Sequence, residues 1–177
     1  MSRTSRIHKN TAPGNLGVAI LTVSTSKSRC LSQGVKVDDV SGDLIEDLIT
    51  QAGHRVVERN LIPDDLNLIR TRVEKTLGRD DVDVLVVTGG TGVSRSDVTV
   101  EAVEELLDKR LPGFGEIFRH LSYVEMGSSA MLTRAMAGVR DGKAVFLLPG
   151  SPEAVELAVK RLIIPEMAHV VKHAREG

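Results

Sequence analysis

Residues 88–99, TGGTGVSRSDVT, hold the densest concentration of chemistry-bearing positions in this 177-residue chain. They follow the mostly apolar run VDVLVV at residues 82–87. A buried strand would deliver the chain into a glycine-rich bend, and a helix would open at Thr99. Gly89, Gly90 and Gly92, with Thr91 among them, let backbone N–H groups turn toward a ligand and remove side chains that would block it. A helix start adds unpaired N–H donors and a dipole that favours anions. Such a loop suits phosphate, and Asp97 can hold a cation beside it. The same residues also suit a plain βα turn with no ligand. The loop is neither a P-loop, since no Gly-Lys-Ser/Thr closes it, nor the GxGxxG dinucleotide fingerprint.

The elements that must position this loop are written in the hydrophobic pattern. LGVAILTV at residues 16–23, the run at 82–87 and AVFLL at 144–148 are near-continuous apolar stretches. Strands buried on both faces read this way. Between them, Leu44, Ile45, Leu48, Ile49 and Ala52 recur at helical spacing, with Gly53 placed as a cap. Leu66, Ile69, Val73 and Leu77 mark a second helix behind Pro63. A third is predicted from about Thr99 to Arg110, with Lys109 and Arg110 favourable at its end. Phe114, Ile117, Phe118 and Leu121 mark a fourth, and Ala154, Val155, Ala158, Val159 and Leu162 a fifth. Strands alternating with helices predict a three-layer α/β/α domain, Rossmann-like, around a mostly parallel sheet. Ligands in such folds sit outside the carboxyl ends of the strands. The loops leaving those ends are residues 24–39, 88–97 and 149–152, and one site built from all three is the economical reading. The first begins at Ser24. The last holds Pro149, Gly150 and Ser151, with Ser151 a natural N-cap ahead of Pro152. Residues 1–15 read as a flexible arm and 16–177 as one domain.

Composition removes several functions. Three Phe, one Tyr and no Trp leave no stacking platform for single-stranded nucleic acid. A formal net charge of −1 gives no basic field for a duplex. Cys30 stands alone, so neither an internal disulfide nor a cysteine metal cluster is available. His169 and His173 are four apart on a predicted helix, a spacing that can hold a metal; the plainer reading is a solvated helix end. No secretory leader and no membrane-length apolar stretch is present, so a soluble, cytoplasmic protein with no membrane partner is expected.

Seven segments together carry a resemblance. They are Asp39-Val40-Ser41-Gly42, Ile62-Pro63-Asp64, Thr88-Gly89-Gly90-Thr91-Gly92 with Asp97-Val98-Thr99, Pro112-Gly113-Phe114-Gly115-Glu116, Ser129-Ala130-Met131-Leu132-Thr133-Arg134-Ala135, Ala137-Gly138-Val139, and Leu148-Pro149-Gly150-Ser151-Pro152. In this order and spacing, over about residues 16–170, the chain resembles the MoaB/MogA family of molybdenum-cofactor biosynthesis proteins, and its MoaB branch most. The resemblance implies a homotrimer, paired into hexamers in some members. It also implies transfer of AMP from Mg-ATP to the terminal phosphate of molybdopterin, with release of pyrophosphate.

Asp64 and Asp97 would then bind or orient Mg²⁺, because two anionic phosphates need a cation to screen them and hold them in line. The Gly89–Gly92 amides would cradle phosphate, and Pro149, Gly150 and Ser151 would shape the nucleotide or pterin pocket. Ser24, Ser41, Ser128 and Ser129 would meet phosphate or pterin, and Arg95 and Arg134 would meet anions. Each has a plainer reading. Asp64 and Asp97 can cap the helices opened at Pro63 and Thr99, a role worth about 1 kcal/mol; Ser41 can be an N-cap, and Ser128 and Ser129 can simply permit close packing. Two positions depart from the family pattern: Arg95 and Ser96 stand where an Arg usually adjoins the Asp, and Thr25 stands where an Asp often follows Ser24. The alternative implied by those departures is a catalytically silent molybdopterin-binding scaffold.

Overall fold

Successive buried side chains of the central strands point to opposite faces and divide the core in two. The computed structural model describes residues 14–176, and residues 1–13 of the expected N-terminal arm lie outside them. In chain order the first elements are β1 (Gly17–Val23), α1 (Thr25–Ser32), α2 (Val40–Gln51), β2 (Arg55–Ile62), α3 (Leu66–Leu77) and β3 (Val84–Thr88). Then come α4 (Thr99–Glu104), β4 (Lys109–Arg110), α5 (Pro112–Met126), β5 (Met136–Arg140), β6 (Lys143–Leu148), α6 (Pro152–Ala158) and α7 (Ile164–Arg175). A 3₁₀ segment, Gly127–Leu132, follows α5, and a π-helical segment, Val159–Ile163, joins α6 to α7.

The six strands form one sheet in the order β2-β1-β3-β6-β5-β4. The first four are parallel, while β5 and β4 pair antiparallel at the far edge. Val18, Ile20, Val84, Val86, Phe146 and Leu148 face one side, where α2, α5, α6 and α7 supply Ile45, Phe118, Val155 and Met167. Ala19, Leu21, Leu85, Val87, Val145 and Leu147 face the other, against Ile69 and Val73 of α3 and Val103 of α4. This is the expected three-layer α/β/α arrangement with a mostly parallel sheet. Among the described residues no helix is long and apolar enough to cross a membrane.

Three local expectations are corrected. Residues 24–39 are not all loop, because Ser24 caps α1 by accepting from the Lys27 N–H. No residue of α1 is buried, so it carries no apolar periodicity to read. The helix from Thr99 stops at Glu104, and Lys109 and Arg110 form β4, with Arg110 paired back to Glu104 at 2.9 Å. A short edge strand of two exposed basic residues is a common guard against further pairing. Third, β5 was not anticipated. It returns to β6 through Asp141 (φ 49°) and Gly142 (φ 72°), the two-residue hairpin turn that an Asp-Gly pair favours.

Candidate functional site

β1 runs out toward β2 on one side, and the chain later returns to β3 on its other side. The crevice between their carboxyl ends is therefore a switch point, the usual place for a ligand in such sheets. There Gly89 (φ 100°) and Gly90 (φ 64°) adopt conformations that favour glycine. A side chain on Gly89 would collide with the Val23 carbonyl at the end of β1. Thr99 fastens the bend twice: its Oγ1 donates to the Gly89 carbonyl (2.9 Å) and its N–H to the Gly90 carbonyl (3.0 Å). Among the described residues, the N–H groups of Gly90, Thr91 and Gly92 have no protein acceptor. They are available to an anion.

The third loop packs on the second. Thr88 Oγ1 donates to the Pro149 carbonyl and Ser41 Oγ to the Gly150 carbonyl, both at 2.8 Å. Ser41 is buried at the start of α2, whose N-cap is Asp39. Burial alone would raise the Asp39 pKa, yet hydrogen bonds from Thr22, Arg59 and Gly42 hold it below the usual value. Ser151 caps α6 as predicted, accepting from Ala154 N–H at 3.3 Å.

Neither key aspartate is a helix cap. Asp65, not Asp64, caps α3 through the Leu68 N–H (2.9 Å). The residue ahead of α4 is Val98, and the Asp97 carboxylate accepts from Ser94 N–H at 2.8 Å. Asp64 is held by its backbone, its N–H donating to Thr25 Oγ1 at 3.0 Å. Its Oδ1 lies behind Gly90, buried and without a hydrogen-bond partner among the described residues. Burial, then the nearby Asp97 charge, push the Asp64 pKa up, and Thr25 offsets part of this. A buried carboxylate oxygen with no donor, beside a second carboxylate, could hold a cation. Among the described residues no three His, Cys, Asp or Glu side chains converge. Such a pair suits Mg²⁺, which keeps several waters and takes one or two carboxylates plus substrate phosphates.

A cavity of about 350 Å³ opens over the loop. Gly89, Gly90, Thr91, Gly92, Asp97, Ser129, Pro149, Gly150 and Ser151 line it together. Sequence reasoning missed Phe118, Ser122, Thr133 and Ala154 as further lining residues; Phe118 and Ala154 read as core helix faces. Ser24 and Ser128 lie outside that lining, as does Ser41, which supports it from beneath. Ser129 turns its hydroxyl to the Met126 carbonyl (3.2 Å). Arg95 is exposed outside that lining, in an adjoining recess with Val93, Glu101 and Arg134 that shares Asp97 with the cavity.

Arg134 differs most from expectation. Its Nε donates to the Gly92 carbonyl (2.7 Å) and one terminal nitrogen to the Asp97 carbonyl (2.9 Å), and the guanidinium pairs with Glu101. Its hydrogen bonds strap the glycine loop to α4, and the anion it faces in this structure is the Glu101 carboxylate.

Fold and site define the class: a doubly wound α/β domain with a glycine-lined, carboxylate-flanked cleft at its switch point. Residues 19–169 match a family model described as a probable molybdopterin binding domain. The chain is 45% identical over 166 residues to molybdenum cofactor biosynthesis protein B of Halalkalibacterium halodurans, spanning 93% of this chain and 94% of the relative. It is 45% identical over 163 residues to a probable molybdopterin adenylyltransferase of Methanocaldococcus jannaschii, spanning 92% and 96%. Among solved structures, the tungsten cofactor synthesizing protein MoaB from Pyrococcus furiosus superposes with a TM-score of 0.82 at 37% identity. That match covers 93% of this chain and 100% of the other. The chain belongs to the MoaB/MogA family of molybdenum-cofactor biosynthesis proteins.

Proposed function

We propose that the protein is a molybdopterin adenylyltransferase, transferring AMP from Mg-ATP to the terminal phosphate of molybdopterin and releasing pyrophosphate. The observation that carries this reading is the buried, donor-free Asp64 Oδ1 beside the Asp97 carboxylate. Asp64 and Asp97 are the residues that would hold Mg²⁺, and the ion would supply charge screening for the two phosphates and for the leaving pyrophosphate. The free amides of Gly90, Thr91 and Gly92 orient phosphate oxygens. The Phe118 and Ala154 wall keeps water from the reacting phosphorus and offers an apolar surface to a ring system. A phosphate oxygen of molybdopterin forms the new bond to the ATP α-phosphorus as the bond to pyrophosphate breaks, so no protein nucleophile is needed.

The test is to incubate the protein with molybdopterin and Mg-ATP labelled at the α-phosphate. Label on the pterin, with pyrophosphate in equal amount, supports the enzyme. Tight pterin binding without transfer would instead support a silent scaffold, a reading favoured by Arg95 lying outside the cavity and Arg134 being spent on the loop. Arg134→Ala should weaken the strap. We expect a stability loss of about 1–3 kcal/mol in urea unfolding, with transfer slowed and molybdopterin KM raised. A variant that loses neither would remove Arg134 from the account.

The same reading includes a homotrimer, with trimers able to pair as hexamers. Ile117, Tyr123 and Val124 of α5, with Met131 and Leu132 beyond it, are exposed apolar side chains along one stretch. Solvated apolar patches of this kind mark contact surfaces. Sedimentation equilibrium should give three times the 19.1 kDa chain mass, or a multiple of it. A monomer would contradict this.

A further inference from the structure

One carboxylate holds the first turn of α2 from three sides. Asp39 Oδ1 caps the helix, accepting from the Gly42 N–H at 3.3 Å. Its Oδ2 accepts from Thr22 Oγ1 of β1 (2.7 Å) and from Arg59 of β2 (3.2 Å). Arg59 reaches back to the same helix, pairing with Asp43 at 2.6 Å and Glu46 at 2.7 Å. Gly42 permits the close approach: a Cβ there would stand 2.1 Å from Asp39 Oδ2 and 2.8 Å from the Arg59 guanidinium. The turn so fixed carries Ser41, 3% exposed, whose hydroxyl holds the Gly150 carbonyl. Gly150 in turn rests on Gly89, since a Cβ at Gly150 would lie 3.4 Å from the Gly89 Cα. An unbroken path of contacts therefore runs from Asp39 to the glycine loop, although Asp39 does not line the cavity.

We infer that Asp39 is a positioning residue for the cavity: through the first turn of α2 and the Ser41 hydroxyl, it sets the Pro149–Ser151 wall against the glycine loop. The inference rests on the reading of that cavity as the place where molybdopterin and ATP meet. A helix cap alone needs one acceptor oxygen. Here the second oxygen is committed to two strands, so the turn is located relative to the sheet and not only to its own helix. The sheet also delivers the glycine loop, through β3, so both walls share one frame. Serine has a single side-chain torsion ahead of its oxygen, and a shift of the turn passes to the Gly150 carbonyl with little slack. The same carboxylate tethers α1, with Lys27 Nζ 3.5 Å from Asp39 Oδ1. α1 buries no residue of its own, yet its Thr25 holds the Asp64 N–H. Asp39 thus reaches the Asp64 side of the site as well as the Gly150 side.

The experiment is amide hydrogen exchange on the ligand-free full-length chain, with a molybdopterin binding titration beside it. It compares the parent, Asp39→Ala, Ser41→Ala, the double variant and Asp65→Ala. Asp65 is the control for a cap alone: it caps α3 through Leu68, with no bond to residues 149–151 among the described residues. Asp39→Ala leaves Arg59 with Asp43 and Glu46 and so should fold; if it does not, Asp39→Asn takes its place in the cycle. The Gly89 amide is bonded to Leu148, and those of Ala154 and Val155 to Ser151. We expect exchange at these three to quicken about 10-fold in Asp39→Ala and in Ser41→Ala. Val145 and Leu147 in β6 should keep the parent rate. The double variant should be no faster than either single one, because both cut one path. The dissociation constant for molybdopterin should rise about 10-fold in all three, and Asp65→Ala should match the parent in loop exchange. Loop exchange unchanged in Asp39→Ala, additive effects in the double variant, or equal loosening by Asp65→Ala would overturn the proposal. Exchange is read without ligand, so it decides the positioning role whether or not AMP is transferred.

Discussion

Asp64→Asn should unfold at a higher temperature than the parent and transfer no detectable AMP. The two effects have one cause. Asp64 Oδ1 is buried without a donor, and its charge faces Asp97. In the cation-free protein the ionised form is a cost carried by the folded state. A neutral amide of the same shape removes the charge and its repulsion, a gain on the order of 1 kcal/mol by analogy with other relieved functional sites. It also removes the proposed ligand for the cation, and we expect kcat to fall by at least about 10²–10³-fold. The pH dependence follows with a definite sign. The folded-state pKa lies above the ordinary aspartate value, so the cost is present above the unfolded pKa and is relieved as pH falls through the raised one. Metal-free parent protein should therefore gain stability relative to Asp64→Asn's own pH profile on mild acidification. Over the same interval the apparent Mg²⁺ affinity of the parent should drop, because proton and cation compete for one carboxylate. A variant no more stable than the parent, or a parent Mg²⁺ affinity that does not change on acidification, would contradict this.

Gly90→Ala should damage the site from the backbone. At φ 64° an alanine is strained, and its Cβ would collide with both Asp64 Oδ1 and Thr99 Oγ1. The strained backbone costs about 1–3 kcal/mol, and relief of the collision moves the carboxylate and releases the threonine clasp on the loop. We expect a lower urea midpoint and AMP transfer reduced by about 10²-fold or more, since small misplacements at reacting centres have effects of that size. Gly113→Ala is the control, because nothing lies within 4 Å of a Cβ there. It should leave both measurements close to the parent. Equal behaviour of the two variants would show that the Gly90 conformation is not required.

The parts of the fold that were legible are those where burial dictates residue type. β1, β3 and β6 are covered on both faces and so read as apolar runs, and that placed the three loops at one sheet edge. α1 was not legible because it buries nothing, and helical periodicity exists only where one face is covered. β5 is five residues long with a glycine at its centre, so its own pattern is weak. The Asp141-Gly142 turn was the available signal. The glycine loop and Pro149–Ser151 could be grouped from sequence because loops at the carboxyl ends of parallel strands converge. Asp64 and Asp97 as neighbours could not be derived from spacing, since they come from different strand–helix units and meet only through the strand order. The role Arg134 plays in the loop was not legible for a simpler reason. Sequence reveals its charge, but its partners are two carbonyls and a glutamate brought together by the bend.

The proposed reaction requires one divalent cation between Asp64 and Asp97 at the glycine loop. Manganese can replace magnesium in crystals grown with a non-hydrolysable ATP analogue, and its anomalous scattering locates it directly. A single strong peak is expected within bonding distance of Asp64 Oδ1 and the Asp97 carboxylate, absent in Asp64→Asn. Manganese bound only to the nucleotide, with both aspartates uninvolved, would contradict it.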